Sequence, residues 1–168
     1  CVDRCPNSVP TDEIVIAARE ALAKKRGLTT FHKAVGQVIQ SRTRMKLGAK
    51  AASVLGPLFF KKVPETSGLR LRFPLPFVGD KRYIPAIAKT PLLERYPEVI
   101  EGEPGKPTVT FFVGCMTNFV YPRVGVALIK LLKHVGCTII LPKDQQCCGL
   151  PGMSGGDIET VRSLAERN

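Results

Sequence analysis

Nine of the chain's 14 prolines, Pro57, Pro64, Pro74, Pro76, Pro85, Pro91, Pro97, Pro104 and Pro107, fall between Gly56 and Pro107. Each proline removes a backbone donor and fixes φ, so this density opposes long helices and central strands. The stretch reads as an extended connector that packs against something else. It separates a helical N-terminal part from a regular C-terminal part.

On the N-terminal side, "CVDRCPNSVP" is loop and turn. Thr11 is expected to cap a helix that carries Asp12 and Glu13 in its first turn and stops at Gly27. A second helix is expected from about Thr30 to Ala52, with Phe31, Ala34, Val35, Val38 and Ile39 on one apolar face. Beyond the prolines, "TVTFFV" (108–113) has the β-branched and aromatic content of a buried strand. "GCMTNFVYP" follows as a loop. Pro122 suits the first turn of a helix with an apolar stripe of Val124, Leu128, Leu131, Leu132 and Val135, closed by Gly136. "CTIILP" (137–142) is a second buried strand, and a further helix starts near Asp157.

Strand–helix–strand–loop–helix implies an α/β unit with a parallel sheet and a right-handed crossover. Parallel strands end at one edge, where open α/β folds bind ligands. Cys115 follows the first strand, and Cys147 and Cys148 follow the second, with 31 residues between Cys115 and Cys147. These three are expected to converge there. Cys137 starts the second strand and belongs at the opposite edge.

The remaining cysteines are Cys1 and Cys5. Six cysteines with no secretory signal in view favour thiolate chemistry over a disulfide framework. Cys1 and Cys5 are three residues apart and Pro6 follows, as at the end of the bacterial ferredoxin run C-x2-C-x2-C-x3-C-P. Thiolates are soft ligands suited to iron–sulfur clusters or zinc. An adjacent pair suits compact tetrahedral zinc poorly, because zinc ligands are normally two to four residues apart. Neighbouring side chains also diverge, which points to a larger, less regular cluster. Gly149 gives the turn its backbone freedom.

"FFVGCMTNFVYPRVG…QQCCGLPG" resembles the first half of the CCG cysteine-rich domain. That domain occurs in the cysteine-rich subunit of heterodisulfide reductase and in the iron–sulfur subunits of glycolate oxidase, lactate-utilisation complexes and anaerobic glycerol-3-phosphate dehydrogenase. Cys115, Cys147 and Cys148 match the first three cysteines of its pattern. The closing C-x-x-C would lie past Asn168, within what reads as a longer protein, since the chain opens on Cys1 and stops inside "DIETVRSLAERN".

The resemblance implies three parts: the end of a 4Fe–4S ferredoxin module (1–10), a helical and Pro-rich connector (11–107), and the first half of a CCG domain (108–168). It also implies an electron-transfer subunit with 4Fe–4S clusters, of cubane type in the ferredoxin module and with a noncubane form open for the CCG domain. Their ligands would be Cys1, Cys5, Cys115, Cys147 and Cys148. FAD would sit on a partner dehydrogenase subunit that oxidises a 2-hydroxy acid, and electrons would pass to a quinone or other acceptor. No catalytic acid, base or nucleophile is needed on this chain.

Other features are weighed against that reading. His32 and His134 read as surface or packing residues. "GLPGMSGGD" lacks both the Lys-Ser/Thr of a phosphate loop and GxGxxG spacing, and reads as flexible backbone. The formal charge is +11, and no acidic residue lies between Glu20 and Glu65. That interval holds Lys24, Lys25, Arg26, Lys33, Arg42, Arg44, Lys46, Lys50, Lys61 and Lys62. The block could meet an acidic partner or an anionic membrane surface. Nucleic acid is the weaker option, because the block has few aromatics for base stacking. A thiol–disulfide redox subunit of heterodisulfide-reductase type is the main rival. No apolar run approaches the roughly 20 residues of a membrane span. The expected location is cytoplasmic, or peripheral on the inner face of the membrane.

Overall fold

The computed structural model describes residues 6–62, 68–72 and 84–168. Cys1 and Cys5 therefore lie outside the described residues. In chain order the elements are helices α1 (Thr11–Arg26), α2 (Thr30–Ile39) and α3 (Arg42–Phe59), then strands β1 (Phe60–Lys62), β2 (Gly68–Leu71) and β3 (Ile84–Pro85). Helix α4 (Leu92–Arg95), β4 (Val99–Ile100), β5 (Thr108–Thr110), α5 (Gly114–Phe119) and α6 (Pro122–His134) follow. β6 (Thr138–Ile140), α7 (Leu150–Gly155) and α8 (Ile158–Arg167) complete the series. The fold is mixed α/β. It divides into two compact units, residues 1–44 with 146–168 and residues 45–145.

In the first unit, α1 has Asp12 and Glu13 in its first turn and Lys24, Lys25 and Arg26 in its last. Both sets complement the helix dipole. The N-cap position is Pro10 without a side-chain cap, and Thr11 is already helical. The second expected helix is two helices. Thr29 Oγ1 accepts from His32 N–H to cap α2, which ends at Ile39. Ser41 Oγ then accepts from Arg44 N–H at 3.4 Å and starts α3. The Ser41 cap is the signal that the continuous apolar spacing concealed. On α2 the covered face is centred on Gly36 and Ile39, while Phe31 is 71% exposed.

α7 and α8 pack against α1 and α2 through close approaches. The His32 ring lies where a Cβ on Gly155 would stand. Gln40 Nε2 donates to Thr160 Oγ1 at 2.9 Å, and Arg19 donates to the Ser154 carbonyl at 2.9 Å. "GLPGMSGGD" is thus a short helix and a packing turn rather than flexible backbone.

The second unit holds two three-stranded sheets. In one, β1, β2 and β3 are antiparallel neighbours, with Phe60 opposite Leu71 and Gly68 opposite Pro85. The other has the order β4-β6-β5. β5 and β6 are parallel, as expected, with Thr108 opposite Thr138 and Thr110 opposite Ile140. β4 runs antiparallel to β6, so the sheet is mixed rather than wholly parallel. α4 and β4 come from the Pro-rich stretch, and α3 continues through Pro57. Pro57 leaves the Ser53 carbonyl without its helical donor, and α3 ends two residues later at Phe59.

The core joins Leu92 and Leu93 of α4 to Val113, Ile129, Ile139 and Leu141. Central β6 carries Ile139 at 0% exposure, whereas edge strand β5 is only half covered and ends at Thr110. α6 turns only part of its expected stripe inward: Leu132 packs against the core and Leu128 is half-buried. Pro122, Gly125 and Ile129 are buried, while Val124, Leu131 and Val135 are exposed. Gly125 decides this orientation, because a Cβ there would overlap Leu92 Cδ2. A helix this close to its neighbour must present its glycine at the contact.

Candidate metal centre

The segment after β5 was expected to be loop, but it is helix α5, which holds Cys115 in its first turn, half-buried. Gly114, just before it, has φ 66°. Asn118, on the same helix, is buried, and its Oδ1 accepts from Leu93 N–H at 2.9 Å. This bond ties α5 to α4.

After β6, Lys143 Nζ donates to the carbonyls of Leu93 (2.6 Å) and Tyr96 (2.5 Å). Gln145 is 9% exposed and uses both ends of its amide. Its Oε1 accepts from Val113 N–H at 2.6 Å and Gly114 N–H at 3.2 Å. Its Nε2 donates to the carbonyls of Pro142 (2.8 Å) and Phe111 (3.4 Å). One side chain thereby clamps the end of β5 to the end of β6, immediately before Cys115 and two residues before Cys147. No periodicity encodes such a residue. Its only trace in the sequence is a pair of amides, Gln145 and Gln146, in front of the paired cysteines.

In the first unit, Cys147 is 0% exposed and Cys148 is exposed. The neighbours diverge, as adjacent side chains do. Asn168 holds the backbone on either side of the Gln146–Cys147 peptide: its Oδ1 accepts from Gln146 N–H at 2.7 Å, and its Nδ2 donates to the Cys147 carbonyl at 3.1 Å. Gly149 follows in the left-handed region (φ 86°, ψ −4°) and starts α7. Only glycine takes that conformation without penalty. α8 starts at Ile158, close to the expected start near Asp157, and Asp157 caps it by accepting from Thr160 N–H at 3.2 Å.

Cys137 is buried and precedes the Thr108–Thr138 pair at the start of the parallel ladder. Cys115 follows the other end of that ladder, so these two lie at opposite ends, as expected. His32 Nδ1 shares a hydrogen bond of 2.7 Å with Thr29 Oγ1, and its ring packs beneath Gly155, while His134 is exposed. Among the described residues, no group of three or more His, Cys, Asp or Glu is gathered closely enough to hold a metal ion.

Thiolates are soft donors of the kind that suit iron–sulfur clusters. Cys147 is wholly withdrawn from water, and the adjoining Gln146 Oε1 is buried without a hydrogen-bond partner among the described residues. An orphaned buried amide oxygen costs about 1–3 kcal/mol. Residues 109–168 match the family described as the cysteine-rich domain, CCG. The CCG match takes in Cys115, Cys137, Cys147 and Cys148.

Relatives point the same way. The chain is 38% identical over 60 residues to lactate utilization protein A of Exiguobacterium sp., covering 36% of this chain and 24% of that protein. Similarity to the probable glycolate oxidase iron-sulfur subunit of Bacillus subtilis is 25% identity over 178 aligned positions, covering 100% of this chain and 39% of that protein. A fumarate reductase (CoM/CoB) subunit of Methanothermobacter marburgensis is 37% identical over 71 residues, 42% of this chain and 14% of that protein. The chain thus spans less than two thirds of the length of each of these relatives. No solved structure matches it.

Proposed function

We propose that this chain is part of the iron–sulfur electron-transfer subunit of a 2-hydroxy-acid oxidoreductase of glycolate or D-lactate type. It would pass electrons from a flavin-carrying partner subunit toward a quinone or other acceptor. The observation that carries the reading is the parallel pairing of β5 and β6 within a CCG match, with Cys115 after the first strand and Cys147–Cys148 after the second. In this reading Cys115, Cys147 and Cys148 are cluster ligands, and Cys1 and Cys5 belong to a ferredoxin-type cluster.

When bound, an iron–sulfur cluster supplies one-electron transfer. The chain's own residues supply position and dryness. Gln145 and Asn118 fix the segments around Cys115, Asn168 fixes the backbone at Cys147, and burial of Cys147 keeps water from that sulfur. Hydroxy-acid chemistry belongs to the partner subunit.

The test is serine substitution in the anaerobically purified full-length protein, read by iron and sulfide content and by EPR. Cys115→Ser, Cys147→Ser and Cys148→Ser should each remove or alter one cluster signal, and Cys137→Ser should leave all signals intact. Wild-type iron content and spectra in all three ligand variants would overturn the reading. A second reading, in which the centre itself acts on a disulfide, rests on the resemblance of the Cys147-Cys148-Gly149 stretch to the cysteine-rich subunit of heterodisulfide reductase. It requires that disulfide reduction, and not only electron passage, be lost with Cys148→Ser.

A further inference from the structure

Helix α3 is amphipathic in the wrong direction for a helix stabilised by its own core. Leu47, Ala51, Val54, Leu55 and Leu58 recur at the spacing of a single helical face. That face looks outward: Leu47 is 68% exposed, Val54 69%, Leu55 52% and Leu58 65%. Phe59 beside it is 48% exposed. The opposite side, with Met45, Ala49 and Gly56, is the covered one. Arg44 and Lys50 flank the apolar face and are exposed, and Lys61 follows in β1. No acidic residue lies between Glu20 and Glu65 in the sequence; of the basic residues on α3, Lys46 is paired with Glu94 at 3.1 Å, whereas Arg44 and Lys50 are not in an ion pair with it.

We propose that the outward face of α3 lies on an anionic lipid surface, in the interfacial plane. The 18 residues of α3 make a strip about 27 Å long. No helix among the described residues is long and apolar enough to cross a membrane. An apolar strip flanked by cations of one sign is the form that buries its side chains at the headgroup boundary while its charges meet anionic headgroups. The charge complementarity selects anionic over zwitterionic lipid. The proposal does not depend on the cluster ligands.

The experiment is co-sedimentation of the full-length protein with vesicles of phosphatidylcholine alone and of phosphatidylcholine mixed equally with phosphatidylglycerol, with hydrogen exchange read on residues 42–62. Binding should require the mixed vesicles, weaken as salt rises, and slow exchange in α3. Arg44→Gln, Lys50→Gln and Lys61→Gln together should weaken binding about 100-fold, at about 1 kcal/mol per charge. Leu47→Ser, Val54→Ser and Leu58→Ser together should abolish it. These side chains are exposed, so circular dichroism should be unchanged, and the charge variant gives a second route should the triple serine variant misfold. Absence of binding to mixed vesicles at low salt, undiminished binding by either triple variant, or exchange protection that spares α3 would overturn the proposal. So would protection of α3 by a partner subunit and not by vesicles.

Discussion

Replacing Gln145 by leucine keeps most of the side-chain volume and strips four hydrogen bonds from the place where the ends of β5 and β6 meet. Two are short, to Val113 N–H at 2.6 Å and to the Pro142 carbonyl at 2.8 Å. Two are long, at 3.2 and 3.4 Å, and count for less. Val113 is 4% exposed, so its amide has little access to replacement water. With about 1 kcal/mol net per good bond and about 1–3 kcal/mol for an orphaned buried group, local opening should become easier by about 3 kcal/mol. That is roughly a hundred-fold rise in the open population. Hydrogen exchange of the full-length protein, read on peptides spanning residues 109–116, measures this opening directly and does not require two-state unfolding. Gln145→Glu keeps the acceptor for both amides but sets an oxygen against the Pro142 and Phe111 carbonyls, so it should fail to restore protection. Exchange at Val113 and Gly114 as slow in Gln145→Leu as in the wild type would refute the clamp.

Other substitutions test the close approaches and the turn. Gly125→Val should destabilise the second unit by about 1–3 kcal/mol, since even a Cβ overlaps Leu92 Cδ2; faster hydrogen exchange in α6 peptides checks it. Gly149→Ala should cost about 1–2 kcal/mol, because φ is 86° and the new methyl would stand 3.4 Å from Val161; its signature is faster exchange at the start of α7.

The sequence made the C-terminal half legible because its signals are local and strong. β-branched runs, Pro122 at a helix start, Gly136 at its end and Asp157 as a cap each act within a few residues. The parallel β5–β6 pair and the ladder ends carrying Cys115 and Cys137 followed from those signals. Which face of α6 turns inward did not follow, because Leu131 and Val135 compete with Gly125 on equal periodicity. Only the proximity of Leu92, from a distant part of the chain, decides it. The same holds for residues 91–100, where Pro91 and Pro97 obscured that two leucines and a short strand complete the core. Gln145, Asn118 and Lys143 were missed for a related reason. Their roles are bonds to backbone groups up to 50 residues away, as for Lys143 and Leu93, and polar residues in loops or in a helix as short as α5 carry no period.

The adjacent cysteines make a final test, because the structure separates them more sharply than any sequence pattern does. Cys147 is 0% exposed and Cys148 is exposed, although one peptide bond joins them. A thiol reagent reaches Cys148 without any movement of the chain, whereas Cys147 reacts only through local opening. That opening must break the Asn168 side-chain bond to the Cys147 carbonyl, at a cost of about 1 kcal/mol for that bond alone. In metal-free full-length protein under anaerobic conditions, N-ethylmaleimide should therefore modify Cys148 at least about ten-fold faster than Cys147. Mass spectrometry of the peptide spanning residues 144–162 resolves single from double modification. Asn168→Ala should narrow the gap by accelerating Cys147 alone. In protein carrying its full iron complement both sulfurs should be protected, since reagent and iron compete for the same lone pairs. Equal rates at the two positions in metal-free protein would mean that the burial of Cys147 is not maintained in solution.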